Sequence, residues 1–317
     1  MTSTEPQRPA VRLDGTVLLV GPGWLGAMVA SQLSTMGATV AVLQRTARTS
    51  SGDIVTLTGD LASAALGPRP LAALRSVVRS ALAGPIDHLV VCVAPSRARG
   101  DDYGIYPQAA AGAAALAKAL GIRSALYVSS TGVYDRHDGS EVTEQSPIVP
   151  RDARVEALYD AEQRIATIAD DGEATVHIVR AAGLYGPQRD PAARLADPAF
   201  AASDVWCNFS WRDDVVSAIT HLLTHDRAAG VRIFNCADGT PLRSSAIAFA
   251  LTGRARDAST DGSPEALDRA APVRSGRSNQ RINVDALLAT GWRPTAPTVY
   301  DGLRLLGHQV PFAPAAP

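Results

Sequence analysis

Two observations predict an α/β fold. Short apolar runs alternate with helical stretches through the first half of the chain, and a glycine-rich loop joins the first run to the first helical stretch. The expected architecture is a Rossmann-type doubly wound parallel sheet with a smaller C-terminal substrate-side subdomain. A third observation narrows the class. No apolar run approaches the roughly 18 residues that a membrane helix needs; the Ala-rich run Ala109 to Leu120 is too short and carries Lys118.

The elements follow in order. Met1 to Asp14 is polar and proline-containing and reads as a disordered leader (1–14). Val17 to Val20 reads as strand one, with a helix over Gly26 to Met36. Thr39 to Leu43, Ile54 to Thr58, His88 to Val93, Ser124 to Ser129 and Thr175 to Arg180 read as strands two to six. Helices fit Pro70 to Ala83, Pro107 to Leu120 and about Arg151 to Ala169. These elements make a dinucleotide-binding domain over 15–186, joined by a return strand near 231–236. Segments 187–230 and 237–317 make the smaller subdomain, with helices near Ser244 to Leu251 and Val284 to Ala289. Ala258 to Gly276 reads as a polar loop.

Composition excludes several classes of function. A net charge of −1 without a large basic cluster gives no footprint for nucleic acid. Cys92, Cys207 and Cys236 are odd in number and far apart, so neither a disulfide framework nor a metal site is expected. The chain reads as cytoplasmic, with a small-molecule partner and no membrane partner. Of its 30 basic residues only Lys118 is lysine, which removes most lysine-dependent mechanisms.

Gly21-Pro-Gly23-Trp24-Leu25-Gly26 fits G-x-G-x-x-G between a strand and a helix. The first glycine permits the tight turn, the second admits a pyrophosphate, and the third lets helix pack on strand. The helix N-terminus then offers N–H groups to the phosphates. NAD-binding chains place an acid about 20 residues on, at the end of strand two. Here the chain reads Gln44-Arg45-Thr46-Ala47-Arg48, with no acid and two guanidiniums that suit a 2′-phosphate. NADP(H) is therefore expected over NAD(H). Asp60-Leu61 after strand three is placed for adenine, and Ala94 after strand four for the middle of the cofactor.

A longer series of motifs appears in fixed order: Tyr127-Val-Ser129-Ser130-Thr131-Gly-Val-Tyr134, Glu144-Gln-Ser-Pro147-Ile-Val-Pro150, and Arg180-Ala-Ala-Gly-Leu-Tyr185-Gly-Pro187. Asn208-Phe209-Ser-Trp-Arg-Asp213-Asp214-Val215-Val216, Phe234-Asn235 and Gly291-Trp292-Arg-Pro294 complete it. From about Thr16 to Leu305 the chain resembles the extended short-chain dehydrogenase/reductase superfamily, in the atypical branch labelled NAD(P)-dependent epimerase/dehydratase-like.

The resemblance implies Ser129 against the cofactor, Ser130 and Thr131 as hydrogen-bond donors to a substrate carbonyl, and a substrate side containing Arg180, Asn208 and Arg281. It also exposes a gap. The superfamily's Tyr-x-x-x-Lys pair is absent: alignment puts Val155 at the Tyr position and Tyr159 at the Lys position, and Ala114 stands four before Lys118. The helical Asn position is Ala109. A tyrosine acting as base at neutral pH needs its pKa lowered by about three units, roughly 4 kcal/mol of tuning; Val155 has no proton to exchange. Tyr185, Tyr103 or Tyr106 are replacement donors, and Asp135, His137 and Glu144 could titrate nearby. Three functions stay open: an oxidoreductase or epimerase/dehydratase with non-standard acid/base residues in a biosynthetic pathway, a redox-neutral isomerase, lyase or cyclase, and a non-catalytic NADP(H) sensor or scaffold. The helix Ala109 to Leu120 suits close packing in a homodimer.

Overall fold

The computed structural model describes residues 11–46, 54–82, 84–94, 102–254 and 278–314. Arg48 and the predicted loop 258–276 lie outside the described residues. The chain forms two compact units that interleave in sequence. The first comprises residues 1–128, 160–178 and 219–232, the second 129–159, 179–218 and 233–317.

Seven strands form the main sheet: β1 (Thr16–Val20), β2 (Thr39–Gln44), β3 (Val55–Thr58), β4 (His88–Val91), β5 (Ser124–Ser130), β7 (Thr175–Ala181) and β11 (Gly230–Cys236). Their order is β11-β7-β5-β4-β1-β2-β3. β1 pairs in parallel with β2 on one side, Val17 opposite Val40, and with β4 on the other, Val17 opposite His88. β2 and β3 are parallel, as are β4 and β5. The order reverses direction at β1, and in open α/β sheets that switch point opens a crevice at the strand carboxyl ends. The loop after β1 is therefore set where a ligand enters such folds.

Helices α1 (Trp24–Thr35), α2 (Pro68–Ala81) and α3 (Ile105–Leu120) belong to the first unit. Val17, Leu18 and Leu19 of β1 are fully buried with Val29 and Leu33 of α1. Burial stabilises each such side chain by about 1.5–3 kcal/mol. Within the stretch expected as a leader, residues 1–10 lie outside the described residues, whereas Leu13 is buried and its N–H donates to the Met36 carbonyl. Gly112 of α3 faces the Leu61 backbone so closely that a Cβ there would lie 1.8 Å from the Leu61 carbonyl oxygen. The Ala-rich face of α3 is thus committed to its own unit at this point. Lys118 near its end is half-exposed and 3.6 Å from Asp170.

The second unit carries α4 (Ala153–Ala166) up to Tyr159, together with α5 (Ala192–Leu195), α6 (Pro198–Ala202), α7 (Arg212–His225) up to Ala218 and α8 (Ser244–Thr252). Short two-strand ladders pin its loops. β10 (Phe209–Trp211) pairs with β8 (Gly183–Tyr185), β12 (Leu242–Arg243) with β9 (Trp206–Cys207), and β13 (Arg281–Ile282) with β6 (Glu141–Val142). Its core gathers Tyr185, Leu195, Phe200, Phe209, Trp211 and Ile247 with the helix Val299–Leu305. Among the described residues no helix is long and apolar enough to cross a membrane.

Buried polar groups in the first unit make stability depend on pH. His177 is fully buried, with Nε2 3.1 Å from Asp226 Oδ2, and Arg232 also pairs with Asp226. Burial holds the His177 and His88 imidazoles below the ordinary range, outweighing Asp226 and Asp87, which pull the other way. A depressed histidine stays neutral in the fold while the unfolded chain takes up the proton. The stability is therefore present above about pH 6.5 and is lost as pH falls from there toward the folded values.

Two predictions come from this packing. Gly112→Ala lowers stability by about 1–3 kcal/mol, because the α3–Leu61 approach must open. Gly84→Ala, where a Cβ meets nothing, changes it by less than about 0.5 kcal/mol. Equal denaturation midpoints would sink the packing account. Melting temperature should also fall between about pH 7.5 and pH 5.5, less steeply in His177→Gln than in the native chain; parallel slopes would rule out His177 as a contributor.

Candidate functional site

The glycine loop of the first unit is built by close backbone approach. Gly21 has φ +86°, and its N–H donates to the Leu43 carbonyl at 3.3 Å. A Cβ at Gly21 would lie 2.7 Å from the Cys92 carbonyl oxygen, and one at Gly26 would lie 2.2 Å from the Gly21 carbonyl oxygen. Both positions therefore exclude any larger residue. Gly23 differs: its φ of −73° suits any residue, and a Cβ there would meet nothing within 4 Å. The room beside it is what the approach of a pyrophosphate to backbone needs.

α1 begins at Trp24 with Gly23 as its N-cap; no side chain caps it and its first turn holds no acid. Leu25 and Gly26 are buried on the core side. The helix start thus keeps its favourable end for an anion. The donor set and the clearance fit a dinucleotide.

The other expected cofactor residues of this unit flank the loop in sequence. Gln44 ends β2 half-buried, and Arg45 and Thr46 beyond it are exposed, with no acid among the three. Asp60 caps the short helical turn Leu61–Leu66, its Oδ1 accepting from the Ala62 N–H at 3.1 Å, and Leu61 is buried. Asp60 thus has a structural duty on one oxygen. Ala94 is exposed beyond β4.

In the second unit Ser129 and Thr131 are buried and Ser130 is half-buried. Ser130 Oγ accepts from the Gly132 N–H at 3.1 Å, capping the turn Thr131–Val133. The Thr131 carbonyl accepts from Gln280 Nε2 at 3.0 Å. Arg154 lies against this turn, so that a Cβ on Gly132 would fall 2.3 Å from Arg154 Nη2. Val155, where the sequence resemblance expects a tyrosine, is fully buried, and Tyr159 is half-buried. The turn therefore has a guanidinium packed against it.

Several expected site residues do other work. Tyr185 is a core residue: it is buried, edge-on to Phe209 and Trp211, and a Cβ on Gly302 would reach within 1.8 Å of its hydroxyl oxygen. Among the described residues the hydroxyl has no hydrogen-bond partner, and burial pushes its pKa far above the ordinary value. Arg180 is also buried, not presented to a substrate. Its Nη1 donates to the Tyr134 hydroxyl at 2.8 Å, which donates to Asn235 Oδ1 at 2.7 Å. Glu144 Oε1 accepts the Asn235 N–H at 2.8 Å, so it braces that strand.

Asn208 clamps backbone, donating to the Gln280 carbonyl and accepting from the Ile282 N–H, both at 2.8 Å. His137 is half-exposed and pairs with Asp135 at 3.0 Å. Tyr103 and Tyr106 are half-buried at the start of α3. Arg281 alone among the expected substrate residues keeps a guanidinium in contact with a half-buried aromatic, 5.5 Å from the Trp206 ring centre.

The sequence did not mark Gln280 or Asn279 as organisers. Gln280 is almost fully buried and accepts from the Arg136 N–H at 3.1 Å while donating to Thr131. Asn279 Oδ1 accepts the Trp206 N–H at 2.9 Å. Lone amides carry no periodicity or spacing, so only the fold reveals them.

Comparison with known proteins places the fold. No established family profile matches the chain. Protein YeeZ of Escherichia coli K12 is 30% identical over 231 residues, which is 72% of this chain and 80% of YeeZ. Among solved structures, a putative NAD-dependent epimerase/dehydratase from Methylobacillus flagellatus superposes with a TM-score of 0.64 at 23% identity, over 92% of this chain and 97% of that one. The UDP-glucose 4-epimerase of Thermus thermophilus, solved with NAD, gives 0.68 at 18% identity, over 92% and 97%. The dTDP-glucose 4,6-dehydratase of Bacillus anthracis, also with NAD, gives 0.68 at 15%, over 92% and 94%. The chain therefore shares the fold of these epimerase and dehydratase structures and belongs to the family of the YeeZ protein.

Proposed function

We propose that this protein binds NADP(H), in preference to NAD(H), and acts on a small molecule with acid/base groups other than the superfamily's Tyr-Lys pair. One observation carries the reading: two glycines of the loop are shut against backbone while Gly23 between them is open. A nicotinamide cofactor supplies or accepts a hydride when bound. The NADP(H) preference rests on Gln44, Arg45 and Thr46, where an acid would repel a 2′-phosphate and a guanidinium would pair with it.

The chain's own contribution is polarisation. Ser130 and Thr131 carry hydroxyls that can donate to a carbonyl oxygen, and Arg154 brings a fixed positive charge to the same turn. A guanidinium stabilises a developing oxyanion but does not deliver a proton near neutral pH. The second reading, a redox-neutral isomerase, lyase or cyclase, draws on the same fact, since Val155 offers no proton for a carbonyl reduction. Either reaction is consistent with a biosynthetic role and with a cytoplasmic enzyme.

Binding and chemistry are tested separately. Gly23→Val should fold like the native chain, because its Cβ meets nothing, yet lose the rise in melting temperature that NADPH gives. NADPH leaving the native melting temperature unmoved, or moving both chains alike, would refute cofactor binding at this loop. Weaker binding of NADPH than NADH would reverse the assigned preference. For the chemistry, Tyr185→Phe should keep full turnover and match or exceed native stability by up to about 1 kcal/mol, since it removes a buried hydroxyl without a partner. Ser130→Ala should lower kcat by about tenfold or more. Absorbance at 340 nm during turnover of carbonyl and alcohol substrates separates hydride transfer from the redox-neutral reading. Loss of activity in Tyr185→Phe would restore the tyrosine as the proton donor.

A further inference from the structure

The second unit holds a feature that the reading above does not use. The guanidinium of Arg243 lies 4.6 Å and that of Arg281 5.5 Å from the ring centre of the same indole, Trp206. All three side chains are half-buried. Their positions are fixed by backbone. Arg243 stands opposite Trp206 in the β12–β9 ladder, and its Nη1 donates to the Asp204 carbonyl at 2.6 Å. Arg281 Nε donates to the Gly139 carbonyl at 3.1 Å. The Trp206 N–H is held by Asn279 Oδ1, and a Cβ on Gly139 would lie 3.3 Å from the indole Cδ1, so the ring packs against that turn.

Two like charges brought to one ring repel unless an anion joins them. Among the described residues neither guanidinium has a carboxylate within ion-pair distance. The acids nearest in the ladders are engaged elsewhere. Asp204 Oδ1 accepts from Ser245 Oγ at 2.5 Å, and Glu141, opposite Arg281 in the β13–β6 pair, accepts from Asn283 Nδ2 at 3.2 Å. Each guanidinium spends one donor on a carbonyl and has others left, in the planar fork that grips oxyanions. The indole face excludes water from one side of that fork and holds its orientation.

We propose that Arg243 and Arg281, mounted on Trp206, form a binding site for an oxyanion group of the small-molecule substrate, a phosphate or a carboxylate. This deepens the proposed function and rests on the reading that the second unit receives the substrate. The substrate class it names is an acidic metabolite.

The test is calorimetric titration of the full-length protein with inorganic phosphate and, separately, with acetate at constant ionic strength. The stronger of the two identifies the group. The native chain should bind one of them saturably at millimolar concentration or better. Arg243→Gln and Arg281→Gln should each weaken it by about tenfold or more. Arg243→Lys, which keeps charge and stem if the glutamine variant misfolds, should weaken it less. No saturable binding of either anion, or unchanged binding in both glutamine variants, overturns the inference. Gly23→Val separates the two proposals. Phosphate binding that disappears in Gly23→Val and survives in Arg243→Gln belongs to the glycine loop and overturns this site. Arginine-dependent binding in a protein that takes up no NADPH supports this site and counts against the cofactor alone.

Discussion

The first unit depends on how closely its backbones approach around the end of β1. A Cβ at Gly26 would stand 2.2 Å from the Gly21 carbonyl oxygen, and one at Gly21 would stand 2.7 Å from that of Cys92. These distances leave no space for a side chain, so α1 starts directly off β1 and the loop lies against the segment that follows β4. The same economy recurs where α3 passes Leu61 with only Gly112 between them. Within this loop Gly23 alone is clear of such contacts, between the two closed positions.

The second unit is organised by amides and buried charge rather than by glycine. Tyr134 links Arg180 to Asn235, Glu144 ties the Asn235 backbone, and Asn208 and Gln280 stitch β13 to the segments around Phe209 and Thr131. A buried guanidinium costs several kcal/mol unless its donors are met, which makes such a network either complete or destabilising. Here the guanidinium is linked to Asn235 through the Tyr134 phenol. The residues that stand in motif order along the chain are thus largely the ones that hold the loops in shape.

How much of this was legible in the sequence varies with the kind of force. The strands and long helices were, because apolar periodicity is what buries Val17 to Val20 or Val40 to Leu43. The glycine loop was, because a turn with no room for Cβ admits few residues. Leu13 was not, since one apolar residue after a polar stretch has no period to announce that it packs. The roles of Arg180, Asn208 and Tyr185 were also hidden. A motif states that a residue type occurs at a position; whether it faces a ligand or the core depends on partners far along the chain, such as Gly302 beneath the Tyr185 hydroxyl. Arg243 carried no signal at all until β12 set it opposite Trp206.

The chain builds a Rossmann-type sheet whose glycine loop is closed at Gly21 and Gly26 and open at Gly23. The most direct measurement is a native mass spectrum of the freshly purified protein, before and after incubation with NADPH. The account predicts a bound species carrying the mass of NADP(H), present from the outset or formed on addition and absent from Gly23→Val. A spectrum with no dinucleotide under either condition, or one in which Gly23→Val retains it equally, would contradict the claim that this loop is a nucleotide site.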